Sequence, residues 1–261
     1  MNIYVREMKN YLISFLIWFS ISALMTEYIV YMFPSFKNDI IQILNLKFPE
    51  AMQKAFGLNT LNFSDALSFF GIIVPYIILI GGIFVGILFG SIVSNEENDG
   101  TIEFLLSKPI SRMNIALSKL SAAFTYLILF VVFVFLTAYI CLKSINVNFS
   151  VGKLFEFALG VFLALLVFAF ICFLISMFVY RSRTIIPIAV VIVSGTFILK
   201  AISEINEKSG FIKYLSPFHY FDASAILKQG LSPVSISISI IVIVGCFIAG
   251  LLVYENKDFK A

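Results

Sequence analysis

Glu97-Asn98-Asp99-Gly100-Thr101-Ile102-Glu103-Phe104-Leu105-Leu106-Ser107-Lys108-Pro109-Ile110-Ser111-Arg112 is the stretch on which the reading of this chain turns. It lies within 95–119, an interruption between two apolar runs that is dense in charge yet carries a helix pattern of its own. Asn98 or Asp99 can cap a helix by accepting the free N–H groups of its first turn, and Ile102, Leu105 and Leu106 then share one face at i, i+3, i+4. Pro109 cannot continue that helix and pushes Lys108 out of the helical region, while Ser111 offers a cap for the next one. The pattern predicts a short helix over 98–108, too short to be stable alone in water. A piece of this kind needs a surface to dock against, and another protein is the natural candidate.

On both sides of it the chain is apolar. Of its 261 residues 61% are hydrophobic, and the mean hydropathy is +1.03, well beyond a soluble domain, in which about half the residues are apolar. The expected class is an all-α polytopic membrane protein with six transmembrane helices, at 11–33, 65–94, 120–142, 154–180, 184–203 and 233–254. A net charge of +3 gives no reason to expect a nucleic-acid partner. Cys141, Cys172 and Cys246 fall inside apolar runs without metal-like spacing and read as small buried hydrophobes. The first apolar run is longer than a leader's core and has no small-residue cleavage pattern, so no signal peptide is expected.

Residues 1–10, with Tyr4, Arg6 and Lys9 among apolar neighbours, read as an amphipathic elbow in the headgroup layer. Glu27 lies close enough to the end of the first span to reach headgroups. A polar connector, 34–62, holds a second short helix pattern between Pro49 and Gly57. Pro75 predicts a kink in the second span. Below it Gly82, Gly86 and Gly90 recur every fourth residue, a stripe that lets two helix backbones approach closely where lipid provides no hydrophobic driving force. Before the last span, Ser216-Pro217-Phe218-His219-Tyr220 and a helix ended by Gly230 predict two half-helices at the outer interface. Ser232 to Ile240 alternates like a strand, but a lone strand in hydrocarbon leaves its backbone unpaired, so 233–254 is read as a helix.

With six spans both termini share a side. The 18 Lys and Arg residues divide evenly between the two sides, but the terminal-side segments are shorter and hold all four arginines, Arg6, Arg112, Arg181 and Arg183. Their density predicts termini inside and places 95–119 in the cytoplasm.

Taken together, these features resemble the type-2 ABC transporter permease family. The stretch 97–112 looks like that family's acidic-Gly-Thr-(hydrophobic)-Glu-Leu-Leu-Leu-(small)-(basic)-Pro-(aliphatic)-Ser-Arg signature. Leu215-Ser216-Pro217-Phe218-His219-Tyr220 looks like its Leu-Ser-Pro-Phe element, and Tyr254-Glu255-Asn256-Lys257-Asp258-Phe259 resembles its ending, with Asn256-Lys257 in place of a commoner basic pair. The resemblance implies a single permease domain over 1–261 in a bacterial plasma membrane. It also implies a coupling helix that inserts into a cleft on a separate cytoplasmic ATP-binding subunit, with Asp99, Gly100, Thr101, Ile102, Glu103, Phe104, Leu105, Leu106, Lys108, Pro109 and Arg112 as the coupling residues. ATP and Mg would belong to that partner, since no Gly-x-x-x-x-Gly-Lys-Ser/Thr phosphate loop occurs here. No catalytic or metal residue is expected in this chain. A second permease copy, or a related permease, would complete the assembly.

The spans are expected to carry no buried ion pair and no acid–histidine relay, which argues against a proton-coupled or metal-ion path. A Phe-rich, nearly uncharged interior suits amphipathic or hydrophobic cargo, toxic or antimicrobial peptides first and drugs or lipids next. An ATP-independent secondary transporter remains the alternative from another class.

Overall fold

The computed structural model describes residues 3–36, 65–98, 112–179, 184–205, 214 and 216–256. Among them it is all-α, with no strand, and six helices are long and apolar enough to cross a membrane.

The first helix, α1 (Ile3–Phe36), runs without interruption through the segment expected to be an elbow. No glycine or proline falls between Ile3 and Phe33 to turn the chain. Its first turns are also tied down, because Tyr126 donates its hydroxyl to the Met8 carbonyl and Tyr4 and Thr125 share a hydrogen bond of 3.1 Å. Residues 3–10 are therefore the beginning of a long helix, not a separate piece lying across it. Glu27 is exposed on α1.

The second span is built in two pieces, α2 (Ala66–Gly71) and α3 (Val74–Asn98). Asp65 caps α2 by accepting the Ser68 N–H at 3.1 Å. Pro75 lacks an N–H and its ring would collide with the carbonyl four residues back, so the α ladder cannot pass through it. The chain answers with tighter three-residue bonds, Ile72 N–H to the Phe69 carbonyl and Ile73 N–H to the Phe70 carbonyl.

The third span belongs to α4 (Arg112–Ser144), whose first residue directly follows Ser111, the position expected to cap the next helix, and which therefore begins well before the apolar run expected to span from 120. Residues 113–119 look like loop because they mix polar and apolar types, yet Ile115, Ala116 and Lys119 are buried. After a turn in which Asn146 takes a positive φ of 52°, Ser150 caps α5 (Val151–Ser176). Next come α6 (Ile185–Ile205), the short helices α7 (Pro217–Tyr220) and α8 (Ala223–Gln229), and α9 (Pro233–Asn256). The Ser/Ile alternation at the start of α9 is helical. Its hydroxyls turn back onto the helix, Ser237 to the Pro233 carbonyl at 2.9 Å and Ser239 to that of Ser235 at 2.8 Å.

In their most apolar stretches, 61% of the residues of the second span and 56% of those of the fourth are buried, against 11% for the last. The second and fourth spans are thus the centre of the bundle, and α9 lies at its edge. Aromatic rings fill the centre. Phe15 of α1 meets Tyr126 of α4 at 5.1 Å between ring centres, and Phe84 of α3 meets Phe130 at 5.7 Å. Phe70 sits between Phe135 and Phe157. Tilted rings at such spacings contribute about 0.5–1.5 kcal/mol per pair beyond area burial, which matters where lipid and core are equally apolar.

Candidate functional site

The helices alternate in direction, so two ends can be distinguished. One holds the start of α1 and the facing ends of α3 and α4, the other the short helices α7 and α8.

At the first end, residues 99–111, which contain every predicted coupling residue except Arg112, lie outside the described residues. Arg112 begins α4. What the structure describes is the frame on either side of the stretch. Lys119 is 1% exposed, and its Nζ donates to the Ile92 carbonyl of α3 at 2.8 Å. A buried ammonium needs an acceptor, and this one joins the two helices that enter and leave the 99–111 stretch. Tyr11 of α1 adds a hydrogen bond with Ser91 of α3 at 3.3 Å. Of the other residues read from the N-terminal segment, Arg6 pairs with the buried Glu7 at 2.9 Å, and Lys9 is exposed.

Between the two ends the glycine stripe of α3 faces α5 and α6. A Cβ at Gly82 would lie 3.0 Å from Val193 and 3.1 Å from Phe168; at Gly86, 3.0 Å from Cys172 Sγ and 3.2 Å from Ala189; at Gly90, 2.5 Å from Ile185. The partners on α6 step backward by four as the glycines step forward by four. This is the register of two antiparallel helices in close contact along a shared seam.

At the other end, Ser216 is fully buried and its Oγ donates to the Thr196 carbonyl of α6 at 2.8 Å. Pro217 opens α7, where a missing N–H costs little. Phe218 packs against Phe197 at 5.4 Å and Phe168 at 5.6 Å. His219 faces the Tyr214 ring edge-on at 5.5 Å, with Tyr220 beside it. Gly230 ends α8 at φ 77°, a left-handed value that favours glycine.

This end also holds a cluster that overturns the expectation of spans without a buried ion pair. Lys200 of α6, with 7% of its side chain exposed, lies 2.6 Å from Asp222 Oδ2 and 3.4 Å from Glu204 Oε1. Burial alone would raise the Asp222 pKa; the Lys200 ammonium outweighs it, aided by donors from Ser224 and the Ala225 N–H, and holds the carboxyl below its ordinary value. Lys200 and Glu204 stand at i, i+4, which sequence can show, but Asp222, 22 positions beyond Lys200, meets it only in the folded structure. A lysine inside an otherwise apolar span was the available signal, since an intramembrane charge needs a partner. The cluster lies near the end of α6, away from mid-depth.

A carboxylate with a lowered pKa in the folded state contributes stability above its unfolded pKa, and that contribution is lost as pH falls through the folded value. The thermal midpoint of the wild type in detergent should therefore drop as pH falls below about 4. Asp222→Asn should cost about 3 kcal/mol at pH 7 by leaving Lys200 poorly compensated. It should also flatten the acid limb, and a variant that melts with the wild-type pH profile would contradict the pairing.

Among the described residues no group of histidines, cysteines and acids is placed to hold a metal. The model of a family described as ABC-2 family transporter protein matches residues 1–259, nearly the whole chain. No curated protein matches it.

Proposed function

Because this chain belongs to the ABC-2 family of transporter proteins, we propose that it is the permease subunit of an ATP-driven exporter and that 98–108 forms the helix through which a cytoplasmic ATP-binding subunit drives it. The family match over the full length carries this reading. The sequence of the stretch supports the docking role: Ile102, Leu105 and Leu106 offer an apolar face to a groove, and Glu103, Lys108 and Arg112 can set register by charge. Lys119 supports it from the described side. A docked helix transmits force only if the helices flanking it do not slip, and a buried ammonium on the Ile92 carbonyl resists slip.

In this reading the termini are cytoplasmic, as the arginine density suggests, the membrane is a bacterial plasma membrane, and two permease copies, identical or related, form the path. The aromatic, weakly charged interior suits amphipathic cargo, with toxic or antimicrobial peptides placed before drugs and lipids. The test is co-purification with an ATPase encoded beside this gene, followed by ATP hydrolysis in liposomes. Binding of that ATPase, with hydrolysis stimulated severalfold by an amphipathic peptide, supports both parts. Stimulation by lipid or drug alone would replace the cargo and keep the motor, and cargo movement without an ATPase would overturn the whole.

A further inference from the structure

The outer pair α7–α8 is fastened to two different spans by two lysines, and the fastenings differ in kind. Asp222 divides its carboxylate between two tasks. Its Oδ1 starts α8 by accepting the N–H groups of Ser224 at 3.0 Å and Ala225 at 3.3 Å, while Oδ2 takes Lys200 of α6 at 2.6 Å. That ammonium is almost fully enclosed, and the Ser216 bond to the Thr196 carbonyl holds the neighbouring α7 to the same span. At the far end of α8, Lys153 of α5 donates to the Ile226 carbonyl at 3.2 Å and pairs with Glu156 at 3.0 Å. Here both charged side chains are about one-third exposed, 31% and 33%.

Breaking the two ends therefore has unequal consequences. Lys153 can exchange the Ile226 carbonyl for water and keep Glu156, because an exposed ion pair is only weakly favoured over its hydrated parts. Lys200 cannot leave Asp222 without stranding charge in a closed site. Among the described residues, Phe218 on Phe168 and Ile226 over Gly160 are apolar contacts toward α5, and such contacts shift without stranding a polar group.

We propose that Lys200 is the fixed anchor and Lys153 the releasable catch of the outer helix pair, so that α8 opens from its Gln229 end while α7 and the start of α8 stay with α6. The pair then forms one body with the fifth span and separates from the fourth.

Hydrogen–deuterium exchange of the full chain in lipid nanodiscs tests the order of release. Lys153→Met should speed exchange of the amides of 226–230 severalfold and leave those of 218–222 within about threefold of wild type, whereas Lys200→Met should speed exchange across 218–229 by about tenfold or more. Lys200→Arg, which keeps the charge, should stay near wild type. If Lys200→Met does not fold, Lys200→Met combined with Asp222→Asn and Glu204→Gln removes all three charges of the cluster together and should show the same loss of protection over 218–229. Equal effects of Lys153→Met and Lys200→Met on 218–222, or full protection of 218–229 in the triple variant, would overturn the proposal.

Discussion

Leu105→Asp combined with Leu106→Asp is expected to abolish coupling between this chain and its ATPase while leaving the chain in the membrane. Each leucine buried in a partner's groove contributes about 1.5–3 kcal/mol, so losing both weakens docking by about two to four powers of ten before any cost of burying the new carboxylates. Neither position falls in one of the long apolar runs of the sequence, so insertion should be unaffected. The measurement is cargo-stimulated ATP hydrolysis in liposomes beside the amount of ATPase that co-purifies. Both should fall together, and Ser107→Asp, off the apolar triad, should change either by less than about threefold. Unaltered transport by the double variant would remove 99–111 from the mechanism.

The second large effect is expected in the seam between α3 and α6. Gly90→Leu should destabilise the bundle by about 3 kcal/mol or more, since overpacking a filled contact forces neighbours off their preferred positions. The first added carbon would already lie 2.5 Å from Ile185 Cγ2 and 3.4 Å from the Cys172 carbonyl oxygen. Ile185 gives little ground, because a β-branched side chain in a helix has essentially one χ1 choice, and the Cys172 oxygen is backbone. Gly195, also in α6, is the control. Nothing lies within 4 Å of a Cβ built there, so Gly195→Ala should change stability by less than about 0.5 kcal/mol. Thermal melting in detergent reads both. Pairing Gly90→Ala with Ile185→Ala should reveal a coupling energy above about 1 kcal/mol; additive costs would mean that the two residues do not touch.

These two predictions draw on opposite sources of information. The apolar triad at Ile102, Leu105 and Leu106 is visible only in the sequence. The partners of Gly82, Gly86 and Gly90 are visible only in the structure, although the four-residue repeat itself is plain in the sequence. The six spans were legible because hydrocarbon admits few alternatives, and the same constraint correctly made a helix of the alternating Ser232 to Ile240 stretch. Helix ends were harder to read. The Ser111 cap signalled a helix from 112, but its continuity with the third span was hidden because Lys119 reads as a solvated residue until its carbonyl partner, 27 positions back, is known. The continuity of α1 was hidden because Arg6, Glu7 and Lys9 read as a surface segment, whereas Glu7 is buried beside Arg6. Lys200 was missed for a related reason. Its main partner is 22 positions away, a pairing that no local pattern specifies.

The great length of α4 has a mechanical corollary. Tyr4, near the first turn of α1, meets Thr125, so the part of α4 from Arg112 onward extends past the level at which α1 begins. At about 1.5 Å per residue the whole helix is about 50 Å long, and pivoting it by ten degrees about one tip would sweep the opposite tip through about 9 Å. A rod of that reach carries a tilt imposed at one end to the other with no unit of the bundle having to unfold.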